Sequence, residues 1–222
     1  ASALCRVLGF SHVAVGDAVR HEIKQGTTIG NQLKAHSNAG TLAPDEIITE
    51  LLHTQLMNHA GAKDLVLEGY PRNQVQVHAL ETVLAKVLGQ GPGADTHVTL
   101  VLELLLREDL LMRKAAGRRV CHDCRQNYNL VDIVEPDQGI YMPAMPPKVP
   151  GTCDHCGGML EQRVDDHPTI VQKRVREYQA MAEPLLQYYR ERKVLEQVDV
   201  AASTAVCTPR IVDIVQRRLG LH

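Results

Sequence analysis

Cys121-His122-Asp123-Cys124 and Cys153-Asp154-His155-Cys156 are the two stretches that most restrict the fold of this chain. Each is a C-x-x-C pair, and two such pairs on facing hairpins can bring four thiolates to the corners of a tetrahedron, as structural Zn²⁺ requires. The spacer is longer than in a compact zinc ribbon, so the intervening chain must loop out. Arginines flank the module on both sides, which favours a metal-pinned lid over an anionic substrate. A redox dithiol, or cysteines without a metal, is the alternative.

The composition is that of a soluble globular chain of 222 residues, with 44% hydrophobic and 23% charged residues. A net charge of −2 and the absence of Trp argue against nucleic acid as a partner. The sequence contains no apolar run long enough to cross a membrane and no signal-peptide pattern. Cysteines in C-x-x-C pairs indicate a reducing intracellular compartment, either the cytoplasm or the mitochondrial matrix. The chain begins at Ala1 rather than Met, so we expect a further segment upstream.

Short apolar segments alternate with helical patterns along the chain, which predicts an α/β fold with a doubly wound parallel sheet. The predicted strands are residues 11–15, 64–68, 97–102 and 194–198. Helices are predicted between them, including residues 104–116 and a long one over residues 169–192 that Pro184 bends. Gly89 to Gly93 is predicted to be a surface loop.

Polar residues follow the predicted strands, at the edge where doubly wound sheets bind ligands. Glu68-Gly69-Tyr70-Pro71-Arg72 follows one strand, and Gly16-Asp17 with Arg20 follows another. Guanidinium groups match phosphate oxygens, so arginines that converge on one place predict a ligand with several phosphates. The set is Arg20, Arg72, Arg113, Arg118, Arg163 and Arg174. Phosphoryl transfer, with Mg²⁺ near Glu68, is the chemistry they favour; for any one residue, a solvated surface charge is the alternative.

In order and spacing, these residues resemble adenylate kinase of the type with a zinc-binding lid, over nearly the whole chain. Gly16-Asp17-x-x-Arg20 is similar to the start of the helices that bind the nucleoside monophosphate, here residues 17–45. Glu68-Gly69-Tyr70-Pro71-Arg72 with Gln76 resembles the signature that binds AMP. Residues 117–167 resemble the lid, and residues 1–116 with 168–222 the core domain.

The resemblance implies a role for each matched residue. Asp17, Arg20, Glu68, Gly69, Arg72, Gln76 and Arg113 would bind substrates, with Gln76 reading the adenine of AMP and Arg113 holding ATP. Arg118, Arg163, Arg174, Asp165 and Asp166 would act in catalysis and at the lid hinge. Cys121, Cys124, Cys153 and Cys156 would hold structural zinc, and Mg²⁺ would accompany ATP. The implied reaction is reversible phosphoryl transfer between ATP and AMP.

The sequence also departs from the family pattern. The family's first strand and its G-x-x-G-x-G-K loop, which cradles the ATP phosphates, do not occur in it, and Val15 and Glu68 replace a Thr and an Asp. Residues 131–145 are expected to lengthen the lid spacer. Because the missing strand is central, we expect an upstream segment or a partner protein to complete the sheet. Two functions follow: an active kinase completed in this way, or an inactive, kinase-derived structural or nucleotide-binding subunit of a larger assembly.

Overall fold

The computed structural model describes residues 1–59, 61–87 and 98–221. The predicted alternation of strands and helices is present. The first half of the described chain contains helices α1 to α5 and strands β1 and β2; these are α1 Ser2–Leu8, β1 Ser11–Ala14, α2 Val15–Gln25, α3 Thr28–Ala39, α4 Asp45–Met57, β2 Leu65–Glu68 and α5 Gln74–Val87.

The second half contains the remaining core elements and a group of short strands between them. The core elements are β3 Val101–Leu105, α6 Glu108–Gly117, α7 Pro168–Glu191, β9 Leu195–Asp199 and α8 Thr204–Leu219. The short strands are β4 Arg118–Cys121, β5 Asn127–Asn129, β6 Ile133–Glu135, β7 Ile140–Met142 and β8 Leu160–Glu161. No helix among the described residues is both long and apolar enough to pass through a membrane.

The core strands form two separate parallel pairs. β1 pairs with β2, with Val13 opposite Leu67, and β3 pairs with β9, with Glu103 opposite Gln197. Within the described residues, no strand is hydrogen-bonded between β2 and β3. Parallel strands are normally buried on both faces, yet Leu104 of β3 is 55% exposed. We call the unpaired edges of β2 and β3 together the slot.

Aliphatic residues form the larger core cluster, around the first strand pair. Val13, Leu33, Leu51 and Leu52 are buried there with Tyr70. A second cluster joins Val77 of α5 to Leu185 and Tyr189 of α7, on the side of β3 and β9. These helices therefore cover the strands and fix where the strands' carboxyl ends lie.

Helices α2 and α3 pack closely, and two residues at their junction permit this contact. Thr27 caps α3, accepting a hydrogen bond from the Gly30 N–H at 3.0 Å, and its hydroxyl bonds to the Glu22 carboxylate. A Cβ at Gly30 would overlap the carbonyl of Glu22, so only glycine permits this approach. This pair forms one wall of the cleft described below.

The segment at residues 117–167 contains two β units that pack differently. β5, β4 and β8 form an antiparallel sheet that carries the two C-x-x-C pairs. The hairpin of β6 and β7 instead packs on the core: Ile133 and Ile140 are buried against Leu110 of α6. Lys114 of α6 also donates hydrogen bonds to three carbonyls of this segment. Residues 131–143 thus form a hairpin on α6, rather than only lengthening the lid spacer as expected.

Most boundaries differ from the sequence prediction by a few residues. β3 extends to Leu105 and α6 starts at Glu108, because the apolar pattern at Leu104 and Leu105 fits a strand as well as a helix. Helix α8 starts at Thr204 and includes Pro209 within its second turn, and Pro184 lies inside α7. The loop predicted at Gly89 to Gly93 and the predicted strand start at His97 lie outside the described residues.

Candidate active site and metal centre

An open cleft lies where the carboxyl ends of β1 and β2 meet α3 and the start of α7. About 710 Å³ of space, part of it open solvent, lies between its walls. Its walls combine aliphatic side chains with several polar groups and include Val15, Gly16, Arg20, Leu33, His36, Ile48, Gly69, Arg72, Gln76, Asp165 and Arg174. A concave, mainly apolar site with a few polar groups is typical of a small-molecule pocket.

Arg20 and Asp17 are paired on the first turns of α2. The Arg20 guanidinium donates to Asp17 Oδ1 at 2.6 Å and lies 3.8 Å from Asp165 Oδ2. Burial raises the pKa of Asp17, but the hydrogen bond and charge of Arg20 outweigh this, so the pKa lies below its ordinary value. The Nε of Arg20 is buried and has no hydrogen-bond partner among the described residues. Asp17 therefore orients Arg20 toward the cleft.

Arg72 enters the cleft from the turn after β2. Its Nε donates to the carbonyl of Gly69 at 2.9 Å, which fixes the side chain over its own turn. Burial, together with the charges of Arg174 and Arg20, lowers the pKa of Arg72. Three guanidinium groups thus share one cleft, with Asp165 as the carboxylate that opposes them, and such a concentration of positive charge favours an anionic ligand.

The segment that leads from the lid into α7 adds a second group of charges. Arg118 donates to Oδ1 of Asp166 at 2.9 Å, and Arg174 donates to Oδ2 of Asp165 at 3.1 Å. Asp166 is 1% exposed, and burial raises its pKa although Arg118 opposes the shift. Asp165 and Asp166 therefore connect the lid strands to α7 through arginines.

Arg163 lies beside this group and is held by Asn127: the Nη2 of Arg163 donates to the Oδ1 of Asn127 at 3.1 Å. Burial, followed by the nearby charges of Arg20 and Arg118, lowers the pKa of Arg163 to about 10. Its Nε and the Oδ2 of Asp166 are buried polar atoms with no partner among the described residues. The unsatisfied Nε donors of Arg163 and Arg20, among guanidinium groups that repel one another, favour a multiply charged anion, whereas the Asp166 oxygen can only accept.

The four cysteines of the lid form a single cluster. Their Sγ atoms all lie within 4.8 Å of one another, and the pairs Cys121–Cys156 and Cys124–Cys153 are 3.5 Å apart. These distances exceed a disulfide bond by far and are close to the ~3.8 Å edge of a tetrahedron with Zn–S bonds of about 2.3 Å. A Cβ at Gly158 would displace the Asp123 carboxylate and lie 3.0 Å from Cys121 Sγ, so glycine leaves room beside the cysteines. The donor set and its spacing fit a structural zinc ion.

Tyr128 packs against this cluster and bonds to it. It is 7% exposed, and its hydroxyl donates to Cys153 Sγ at 3.5 Å while accepting from the Asp154 N–H at 2.8 Å. The hydrogen bond from Tyr128 lowers the pKa of the Cys153 thiol to about 6, which favours the thiolate that binds metal. Tyr128 was not among the predicted site residues, since only its place between the cysteine pairs sets it apart in the sequence.

Comparison with known proteins assigns the chain to a family. The family model described as adenylate kinase matches residues 1–194. The chain belongs to the adenylate kinase family. An adenylate kinase from Caldicellulosiruptor saccharolyticus is 34% identical over 84% of this chain and 78% of its own length. Those from Moorella thermoacetica and Thermosipho melanesiensis are 33% and 30% identical, over 96% and 98% of this chain and 88% and 92% of their own lengths.

The resemblance found in the sequence to adenylate kinase is therefore confirmed, and so is the α/β kinase-like class of the fold. The cleft gathers Arg20, Arg72, Gln76, Asp165 and Arg174, which lie up to 154 positions apart in the sequence. Asp17, Arg118, Arg163 and Asp166 adjoin this group through the contacts given above.

Two predicted site residues are engaged elsewhere in this adenylate kinase family member. Glu68, at the end of β2, is 56% exposed, and its Oε2 lies 2.9 Å from Nε2 of His12. Arg113 on α6 pairs with Glu135 of the β6–β7 hairpin at 2.5 Å and does not line the cleft. The sequence alone did not reveal either partner, because both pairs join residues that are at least 22 positions apart.

Proposed function

We propose that the protein transfers a phosphoryl group reversibly between ATP and AMP. The observation that carries this proposal is the cleft in which Arg20, Arg72 and Arg174 face the same space as the buried amide of Gln76. Guanidinium groups suit a phosphate, and the amide suits the polar edge of a base. A nucleoside that lies between the phosphate and base contacts would pack its apolar faces against Val15, Leu33 and Ile48.

The arginines divide into two groups according to their place. Arg20 and Arg72 hold the phosphate of AMP, because both lie in the cleft near Gln76. Arg118, Arg163 and Arg174, at the lid and the start of α7, neutralise the phosphates that the two nucleotides share during transfer. Such chemistry depends mainly on positioning and on charge neutralisation in a site closed to water. Asp165 and Asp166 orient these arginines, and Arg113 reaches ATP once its pair with Glu135 opens.

Mg²⁺ fits this site as a companion of the ATP phosphates. Among the described residues, the cysteine cluster is the one group of three or more metal-ligating side chains. Mg²⁺ commonly keeps water ligands and uses one or two carboxylates besides substrate phosphates. Glu68 is exposed at the end of β2 and can accept from such a water once it leaves His12. When bound, the ion would neutralise charge on the transferred group.

Zinc has a structural role in this proposal. The four Sγ atoms have the spacing of a closed tetrahedral site, which leaves no open position for a substrate. The ion would fix the two C-x-x-C segments relative to each other. The charged residues that act on nucleotides lie at the base of this lid.

A further parallel strand in the slot between β2 and β3 would complete the sheet. The unpaired edges of both strands and the 55% exposure of Leu104 support this assignment. An upstream segment or a partner protein could supply the strand, together with the loop that cradles the ATP phosphates. The carboxyl end of a strand in this position would lie beside the arginine cleft, where the donor phosphates must sit.

Calorimetric titration with AMP and a coupled assay of ADP formation from ATP and AMP test the proposal. We expect Arg72→Ala to weaken AMP binding by about 10- to 100-fold, the effect of losing a charge-assisted hydrogen bond to phosphate. Arg217→Ala, which removes a 69% exposed arginine of α8, is the matched control and should bind AMP normally. AMP binding without ADP formation, in protein that includes the completing strand and loop, would favour the inactive structural or nucleotide-binding subunit, and absence of AMP binding would refute the proposal.

A further inference from the structure

Gln76 is a buried side chain whose amide orientation is fixed from both ends. It is 2% exposed and lines the cleft. Its Oε1 accepts a hydrogen bond from the backbone N–H of Arg72 at 2.8 Å, and its Nε2 donates to Oδ1 of Asp45 at 2.7 Å. A backbone N–H can only donate and a carboxylate can only accept, so the two partners specify which end of the amide is oxygen and which is nitrogen.

Asp45 is itself held in place by the start of the next helix. Asn73, just before α5, donates from Nδ2 to Asp45 Oδ1 at 3.1 Å. The Oδ1 of Asn73 accepts from the Gln76 N–H at 2.8 Å, which is the hydrogen bond of a helix N-cap. The capping bond thus determines the orientation of Asn73, and Asn73 in turn positions the Asp45 carboxylate. The first turns of α4 and α5 are joined by this network.

Reversing the amide of Gln76 would break both of its hydrogen bonds at once. Its oxygen would then face the Asp45 carboxylate, and its NH₂ group would face the N–H of Arg72, so each contact would become repulsive. The Gln76 side chain is buried and both contacts are partly buried, and such mismatches cost more away from water. One orientation of the amide therefore dominates before any ligand binds.

The fixed amide retains limited hydrogen-bonding capacity for a ligand. An amide nitrogen has two hydrogens and an amide oxygen two lone pairs, so one N–H and one lone pair remain after the internal bonds are made. The edge of adenine offers N1 as an acceptor beside a 6-amino donor, which matches this pair. Hypoxanthine offers an N1–H donor beside the O6 acceptor, which matches only the reversed amide.

We propose that Asp45 is a positioning residue that makes Gln76 select 6-aminopurine over 6-oxopurine nucleotides. The inference rests on the proposed function, since it assigns the base preference of the same cleft. Asp45 does not line the cleft, and Gln76 is the cleft-lining residue to which its carboxylate bonds. Without the carboxylate, reversal of the amide would disrupt only the contact with Arg72 rather than both contacts, and both base patterns could be accommodated.

Binding of AMP and IMP, measured by calorimetry for each variant, tests the assignment. In the unmodified protein we expect AMP to bind more tightly than IMP. In Asp45→Ala we expect the ratio of the two affinities to fall by about tenfold or more, as for loss of one charge-assisted hydrogen bond. Asp45→Asn keeps an acceptor oxygen and should restore most of the ratio, so a drop of about threefold is expected.

Glu46→Ala is the matched control because Glu46 is the next acidic residue in the first turn of α4 and is exposed. It removes the same charge from the same helix end and should leave the affinity ratio unchanged. A purely structural role of Asp45 would weaken AMP and IMP binding by the same factor. If Asp45→Ala does not fold, as judged by circular dichroism, Asp45→Asn provides the decisive ratio.

Three results would overturn the inference. If Asp45→Ala and Asp45→Asn both keep the original ratio while AMP still binds, Asp45 does not position Gln76, and the proposed function stands. Equal binding of AMP and IMP by the unmodified protein would also overturn the inference and leave the proposed function standing. If the unmodified protein binds neither nucleotide, the proposed function and the inference are both wrong.

Discussion

Cys153 is the residue on which the zinc assignment can be tested most directly. It is 3% exposed, its Sγ lies 3.5 Å from that of Cys124, and it accepts a hydrogen bond from the Tyr128 hydroxyl. We expect Cys153→Ser to lower bound zinc from one per chain to nearly none in elemental analysis of reduced protein. Loss of even ~3 kcal/mol of lid stability would lower Tm by roughly 6–12 °C for a chain of this size. AMP affinity should change little, because the cysteines lie outside the cleft.

Cys207→Ser is the control for this variant, because it changes another buried thiol to a hydroxyl but lies on α8, outside the cluster. It should leave zinc content unaltered whatever it does to Tm. Reduced wild-type protein that contains no metal would contradict the zinc assignment.

Single residues with a distinctive spacing were predictable from the sequence, whereas their partners were not. The C-x-x-C pairs and the arginines after strand ends have chemistry that local sequence shows. Asp45 appeared in the sequence analysis only as the last residue of the range 17–45, and its bond to Gln76 joins residues 31 positions apart. Such contacts depend on how helices pack, which one sequence does not specify.

The β6–β7 hairpin gives a prediction at the level of elements. Ile133 of β6 is fully buried against Leu110 and Ile140, so its side chain fixes the hairpin to α6. We expect Ile133→Ala to lower the free energy of unfolding by about 2–5 kcal/mol, since it leaves a cavity in a packed cluster. Urea denaturation followed by circular dichroism measures the change.

Val134→Ala tests the same strand on its other face, where Val134 is 45% exposed. It should change the unfolding free energy by no more than about 0.5 kcal/mol. Equal effects of the two substitutions would show that the hairpin does not pack on α6 through Ile133.

Helices and strands with regular apolar patterns were largely predictable, and the hairpin shows where prediction failed. α4 and α5 follow the helical spacing of their leucines and valines, because one face of each is buried in the core. Strands β6 and β7 have three residues each, too few to display a period. Their location on α6 follows from burial of Ile133 and from the three carbonyls bound by Lys114, which are tertiary contacts.

At the scale of the whole molecule, the two strand pairs show which backbone groups face the slot. The N–H of Ser11 donates to the carbonyl of Asp64, and the N–H of Val101 donates to that of Val194. Alternate residues of a parallel strand bond to the same neighbour, so the N–H groups of Val66 and Glu103 point toward β1 and β9 respectively. The residues on either side of Val66 and Glu103 point their N–H groups the opposite way, toward the slot; these are Leu65, Leu67, Leu102 and Leu104.

Hydrogen exchange at these four slot-facing amides tests whether a strand completes the sheet. In preparations that form ADP from ATP and AMP, we expect them to be protected as strongly as the amides of Val66 and Glu103, because a central parallel strand would accept from both edges. Val66 and Glu103 are internal controls, since their partners lie within the described strands. Rapid exchange of the four slot-facing amides in an active preparation would mean that catalysis proceeds with the slot open, and the proposed sheet would be wrong.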